Sequence, residues 1–176
     1  MNNSTKEICN TSKVEIKSSA ISGLGTFATQ KIAFGEYITT LSGEHVHSDP
    51  DITKVCKKFK VSGDDPLQID DALFLILNHQ SKTINHACNP NAGLRNKSDL
   101  YAIREINIGE EITYDYSTTS GTNDKWTMQC ECHSETCRKT IGNVLTIPDA
   151  ILTKYICLNA LPLFIRKQLK KIGRLL

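Results

Sequence analysis

No stretch of this 176-residue chain is apolar for long enough to cross a bilayer, and its N-terminus, MNNSTKEICNTSKVEIK, has no apolar run that could serve as a signal peptide. The simplest expectation is an intracellular protein of the cytoplasm or nucleus. A charge imbalance is missing as well, since 21 basic residues against 19 acidic ones leave +2. Nothing in that balance demands a nucleic-acid partner, and direct nucleic-acid binding is not expected. No internal repeat or low-complexity linker stands out, and tryptophan occurs once, at Trp126. The length suits one domain with a short appendage, and 39% hydrophobic with 23% charged residues suits a soluble globular protein.

Cysteine is what the chain has in excess. There are seven, and an odd count argues against complete disulfide pairing. In a reducing compartment clustered thiols hold metal more often than they form disulfides. Cys9, Cys56 and Cys157 are scattered, but Cys130, Cys132 and Cys137 fall within the eight residues CECHSETC. Tetrahedral zinc requires a fourth ligand; Cys88 is the remote candidate and His133 the local alternative.

Many short strands with turn signals and few helices argue for a mainly β domain. Residues 1–12 are polar and expected to be flexible. Val14–Ile16 alternates as a strand. EYITTLSGEHV (36–46) reads as one or two strands broken at Gly43, and 47–66 as a turn-rich insertion. Residues 67–70 and LFLILN (73–78) suggest strands, the second fully buried. LYAIREI (100–106) and EEITYDY (110–116) suggest two more, with Ile112, Tyr114 and Tyr116 on one side of the last. Beyond Pro148, Ile151, Leu152, Tyr155 and Ile156 share a helical face. Pro162 opens a second helical stretch, LFIRKQLKKIGRLL, with five basic residues and no acidic one. Its apolar face is expected to pack on the domain while its lysines stay solvated.

Two further motifs carry chemistry. Residues 85–91, NHACNPN, suit neither a helix interior nor a central strand, and Asn89-Pro90-Asn91 reads as a turn. Gly23-Leu24-Gly25 permits close approach of a ligand to the backbone, but no third glycine or amphipathic helix follows, so it is not a dinucleotide fingerprint.

In combination, GLGTFA, SGE at 42–44, INHACNPN, GEEITYDY and CEC-x4-C followed by RKTIGN resemble the SET-domain protein lysine methyltransferases with a post-SET zinc segment. The resemblance spans roughly residues 14–143. It implies a mainly β fold of short sheets (the β-clip) with a pseudoknot. It also implies a SET domain at 13–117, a zinc-bound post-SET segment at 126–143 and a C-terminal helical extension at 148–176. It implies S-adenosylmethionine binding by Gly23, Leu24, Gly25, Asn85, His86 and Tyr116, with Tyr116 catalytic. Tyr114, Leu41 and Leu94 would line the substrate channel, and Tyr114 would favour mono- or dimethyl-lysine. One structural zinc would be held by Cys88, Cys130, Cys132 and Cys137. The implied partner is a lysine-containing protein segment such as a histone tail, and a homodimer is compatible with a small SET protein.

The chain departs from the family pattern in places. Leu41 stands where a tyrosine is usual, Lys82-Thr83 where Arg-Phe often precedes Ile-Asn-His, and Ala87 where serine is common. The competing reading is an inactive, zinc-stabilised SET-like binding module. Trp126 is placed to pack either on a bound ligand or against the domain.

Overall fold

The computed structural model describes residues 13–47, 52–61 and 66–175. The expectation of a flexible segment at 1–12, and Cys9 within it, lie outside the described residues. In chain order the elements are β1 (Val14–Ser18), β2 (Leu24–Ala28), β3 (Tyr37–Thr40), β4 (Gly43–His47), α1 (Ile52–Phe59), β5 (Pro66–Asp70) and β6 (Leu73–Leu77). They continue with β7 (Ala92–Arg95), β8 (Asp99–Ala102), β9 (Met128–Gln129), β10 (Thr140–Ile141), α2 (Asp149–Cys157) and α3 (Leu163–Lys171). All named strand pairs are antiparallel: the hairpins β1-β2 and β9-β10, and two three-stranded sheets ordered β3-β8-β7 and β4-β6-β5.

Leu67, Leu75, Leu94 and Leu100 of the strands join Ile32, Leu41, Ile106, Ile112 and Tyr114 of the connecting segments in one central core. A second core joins α2 and α3 to Ile103, Val144 and Ile147 through Leu152, Tyr155, Phe164, Ile165 and Leu169. The C-terminal helices therefore pack by their apolar faces, as expected, and Lys167, Lys170 and Lys171 remain exposed. A third, smaller cluster of Val46, Val55 and Phe74 takes Trp126 against it.

Four expectations need correction. The insertion at 47–66 contains a helix, α1; its turn-forming flanks obscure a short amphipathic run that buries Val55. β6 is not fully buried, because Leu73 and Ile76 are only partly covered. The strand expected at 100–106 ends at Ala102.

The stretch 110–116 forms no named strand, because it changes partners every residue or two. Glu110 O accepts from Ala28 N (3.0 Å) and Ile112 N donates to Thr26 O (2.7 Å), both on β2. Thr113 O then accepts from Ala92 N (3.0 Å), and Tyr114 N donates to Asn85 O (3.2 Å). Only isolated bridges result, and Ile112, Thr113, Tyr114 and Asp115 are all buried, whichever side they take. This exchange inserts the 85–92 segment directly beside the TYDY residues.

Composition also hides a repeat. Residues 32–36 (IAFGE) and 106–110 (INIGE) form the same turn twice. Ile32 and Ile106 exchange both backbone bonds at 2.9 Å. In each turn the glutamate N–H donates to the carbonyl three residues back, Ala33 or Asn107, at 3.1 Å. Its carboxylate accepts the N–H of that same residue, at 2.9 and 3.1 Å. Gly35 and Gly109 sit at φ +77° and +79°, where a side chain would be strained.

Gly43 is required by proximity, not by φ. A Cβ there would lie 2.1 Å from the Ile76 carbonyl oxygen across the β4-β6 pair. Gly43→Ala should therefore destabilise the fold by about 1–3 kcal/mol, as overpacking does. Urea unfolding measures it, and an unchanged midpoint would mean the two strands can separate freely.

Candidate functional site

The site is assembled where the 85–92 segment, the TYDY residues and the cysteine cluster meet. Asn85 is 7% exposed, and its amide donates to three oxygens: Ser22 O (3.2 Å), Leu24 O (3.1 Å) and Glu111 Oε1 (2.7 Å). Ser19 Oγ also donates to the Glu111 carboxylate. Gly25 makes room for this arrangement, since a Cβ there would stand 2.4 Å from Glu111 Oε1. The glycine turn is thus fastened to the 85–92 segment through Asn85, and its carbonyls face that amide.

His86 is buried, and its ring lies between two motifs. The Tyr116 N–H donates to Nδ1 at 3.1 Å, while Nε2 lies 3.3 Å from Cys88 Sγ. An N–H donor at Nδ1 requires that nitrogen to be bare, so the proton is on Nε2, aimed at the sulfur. Burial, with the nearby Arg138 charge, pulls its pKa from 6.5 down to about 3. His86 is therefore neutral throughout the physiological range.

Tyr116 is half-buried and begins a 3-10 turn, Tyr116–Thr119. Its hydroxyl donates to Ile84 O at 3.0 Å, and its ring lies 4.9 Å from that of Tyr114. On one side Ile21, Ser22, Asn85, His86, Tyr116, Met128, Gln129 and Glu131 enclose a cavity of about 250 Å³. On another, Leu41, Ile84, Thr26, Ser81 and residues of β1 and β3 line one of about 340 Å³. The Tyr116–Ile84 contact joins the walls of these two cavities. A larger space of about 440 Å³, between the 121–124 loop and α3, contains none of the motif residues.

Of the residues singled out from sequence, Asn85, His86 and Tyr116 share one cavity. Gly23, Leu24 and Gly25 do not line it, and of the three only Leu24 is bonded to the Asn85 amide, through its carbonyl. Leu41 borders the second cavity, whereas Tyr114 and Leu94 are core residues, 4% and 0% exposed. Cys88, Cys130, Cys132 and Cys137 bring their four sulfurs within 4.8 Å of one another, and His133 is not among them. A tetrahedral zinc site of four thiolates with bonds of about 2.3 Å has sulfur–sulfur edges of about 3.8 Å; Cys88 and Cys130 are 3.7 Å apart. The cluster could hold a metal ion of that size.

Its proton chemistry is uneven. Burial pushes the Cys88 and Cys130 thiols up. Burial opposes ionisation of Cys132 too, but the Cys88 and Ser134 N–H groups and the Ser134 hydroxyl outweigh it and bring that thiol to about 6. Ligation by the four thiols requires their deprotonation, so an incoming cation would displace their protons.

Sequence reasoning missed the carboxylate behind the site. Asp115 is 2% exposed and accepts from Arg138 Nη2 (2.6 Å), Ser117 N (3.1 Å) and Tyr155 OH (3.1 Å). The only available signal was its place inside TYDY, and that of Arg138 directly after Cys137.

The His86 assignment has a measurable consequence. A histidine that resists protonation when folded, but not when unfolded, makes stability fall as pH drops from about 6.5 towards 3, by at most about 1.4 kcal/mol per pH unit. Nitrogen NMR should find the His86 proton on Nε2 and no titration of this ring between pH 5 and 8. A ring that protonates near pH 6.5 would contradict the geometry.

Residues 23–117, more than half of the chain, match the family model for the SET domain. The chain is 32% identical over 147 residues to the histone-lysine N-methyltransferase set1 of Dictyostelium discoideum, covering 74% of this chain and 9% of that protein. It is 27% identical over 145 residues to the probable histone-lysine N-methyltransferase set-23 of Caenorhabditis briggsae, covering 72% and 59%. It is 28% identical over 171 residues to the H3 lysine-36 specific histone-lysine N-methyltransferase of Candida albicans, covering 85% and 19%. The chain thus spans less than two thirds of the length of each of these relatives. Among solved structures, a chain of a humanized mutant of the Chaetomium thermophilum Polycomb Repressive Complex 2 superposes with a TM-score of 0.51 at 22% identity, over 61% of this chain and 15% of that one. That likeness shows the fold, and with the domain match it establishes that this chain belongs to the SET domain family.

Proposed function

We propose that this protein is an S-adenosylmethionine-dependent protein lysine N-methyltransferase, with Tyr116 as its catalytic residue and one structural zinc ion on Cys88, Cys130, Cys132 and Cys137. The observation that carries the reading is the position of Tyr116, whose ring lines one cavity while its hydroxyl reaches the Ile84 carbonyl on the wall of another. Two reactants entering from opposite sides would meet at that residue.

The cavity holding Asn85 and His86 has a donor set that fits the cofactor. An aromatic face, backbone carbonyls and the Glu131 carboxylate suit a molecule carrying a sulfonium and an ammonium charge. When bound, the cofactor supplies an electrophilic methyl group. Asn85 holds the glycine turn of Gly23, Leu24 and Gly25 against this space, and the neutral His86 adds no competing positive charge.

The other cavity, with Leu41 and Ile84, would admit the lysine. Its amine has an ordinary pKa of about 10.4, and only the neutral form has a lone pair for attack. Leu41 and Ile84 give this cavity an apolar patch, backed by the core in which Leu41, Tyr114 and Tyr116 pack, and such a surface would disfavour the ammonium form. Leu94, fully buried in the same core, backs this wall. Tyr116 orients the amine, one part of an alignment of the two bound reactants that as a whole can be worth about 7–11 kcal/mol of barrier. Tyr114, packed 4.9 Å behind the Tyr116 ring, would limit the product to mono- or dimethyl-lysine by restricting how that ring can move. Histones are the substrate class suggested by the relatives' names, and a nuclear site of action would follow from that substrate. Among the described residues no helix is long and apolar enough to cross a membrane.

The test is transfer of labelled methyl from S-adenosylmethionine to core histones and, separately, to a whole-cell lysate. The wild-type protein should label a protein band on lysine, with mono- and dimethyl forms dominating by mass spectrometry. Tyr116→Phe should reduce the rate by about 100-fold or more, the scale of a misplaced reactant. A folded, zinc-loaded wild type that labels nothing would favour the inactive binding module.

A further inference from the structure

Arg138 lies outside the SET match, one residue past the last cysteine of the cluster, yet its guanidinium is buried against Asp115, the residue before Tyr116. Its side chain is 10% exposed. Nη2 donates to Asp115 Oδ1 at 2.6 Å, Nε lies 3.5 Å from Cys88 Sγ, and the Arg138 backbone N–H donates to the same sulfur at 3.3 Å. One planar group therefore touches a cluster thiol and the residue preceding Tyr116.

Asp115 in turn sets the Tyr116 backbone. Its Oδ1 accepts the Ser117 N–H (3.1 Å) and its carbonyl accepts the Thr118 N–H (2.9 Å), so it caps the 3-10 turn that Tyr116 begins. The Tyr116 N–H is held by His86. The peptide groups on both sides of the Tyr116 Cα are thus fixed, one by His86 and one by Asp115, and both of these side chains lead back to Cys88. The His86 route runs within the NHAC motif; the Arg138 route does not.

We propose that Arg138 is a positioning residue that couples the four-cysteine site to Tyr116, so that the state of the metal site is felt in how the Tyr116 backbone is held. This rests on Tyr116 being the catalytic residue. The planar fork suits the task, because its Nε and Nη2 donors point in fixed directions at the sulfur and the carboxylate together, whereas an ammonium is a compact charge with rotatable donors.

The experiment compares wild type with Arg138→Lys in the full, zinc-loaded chain. Arg138→Lys keeps a cation for Asp115 but loses the fork. We expect full zinc content, KM for both reactants within about twofold of wild type, and kcat lowered about tenfold or more. Zinc transfer to a chromogenic chelator should speed up by about tenfold or more, as loss of a partner to a metal ligand typically weakens retention 10–100-fold. The zinc readout is independent of methyl transfer. If Arg138→Lys does not fold, the pair Asp115→Asn with Arg138→Gln removes both charges without leaving one buried alone, and the same results are expected.

Wild-type kcat per folded, loaded molecule in the variant, or zinc leaving at the wild-type rate, would overturn the coupling. A wild type that neither binds the cofactor nor methylates would contradict the methyltransferase reading and remove this inference with it. An active wild type beside an unaffected variant contradicts the coupling alone.

Discussion

The buried carboxylate of Asp115 is the constraint on which the rest of the structure depends. Burial pushes it towards its neutral form, and the Arg138 charge, the Ser117 N–H and the Tyr155 hydroxyl pull against that. Each partner belongs to a different part of the chain: the segment after the cysteines, the turn after TYDY, and α2. Removing one partner of such a buried pair leaves a lone charge, at a cost on the order of 3–5 kcal/mol. The three parts are therefore held to one another by the satisfaction of a single anion, and Tyr116 sits next to it in the chain.

The same economy governs the cavity and the cysteine cluster. Gln129 and Glu131 flank Cys130 and line the cavity that also contains Asn85 and His86. Closing the cluster around a metal would fix the wall of the cavity, and the β9-β10 pair braces it, with Cys130 N donating to Lys139 O. The opening segment NHACNPN thus serves both sides through neighbouring residues. Asn85 reaches the glycine turn, His86 the Tyr116 backbone, and Cys88 the other thiols. Asn91 then fastens the far end, donating to Glu111 O at 2.7 Å and accepting from Thr113 N at 2.9 Å.

Much of this was legible in the sequence where the signal is local. Alternation placed β1, β-branched residues placed β3 and β4, short apolar runs between turn signals suggested β5 and β6, and the apolar faces of α2 and α3 were readable from helical spacing. The order of the motifs carried the family and its fold. What was hidden has physical reasons. EEITYDY has the alternation of a strand, but a strand also needs a continuous partner, and partner exchange is not encoded in periodicity. α1 sits between turn-forming residues that dominate its composition. The paired IAFGE and INIGE turns share only Ile, Gly and Glu, too little to register as a repeat. The Asp115 network joins residues 23 and 40 positions apart, and from sequence Arg138 is only the first residue of RKTIGN and Tyr155 one more apolar-face residue.

Everything proposed about the chemistry depends on what occupies the space between Asn85, His86 and Tyr116. The most direct measurement is a calorimetric titration of S-adenosylmethionine into the folded, zinc-loaded chain, beside Asn85→Ala. Saturable binding of one molecule per chain, lost or weakened at least tenfold in the variant, is the predicted result. No binding to the wild type under those conditions would contradict the account, and would leave a SET fold that has kept the geometry of its site without the cofactor.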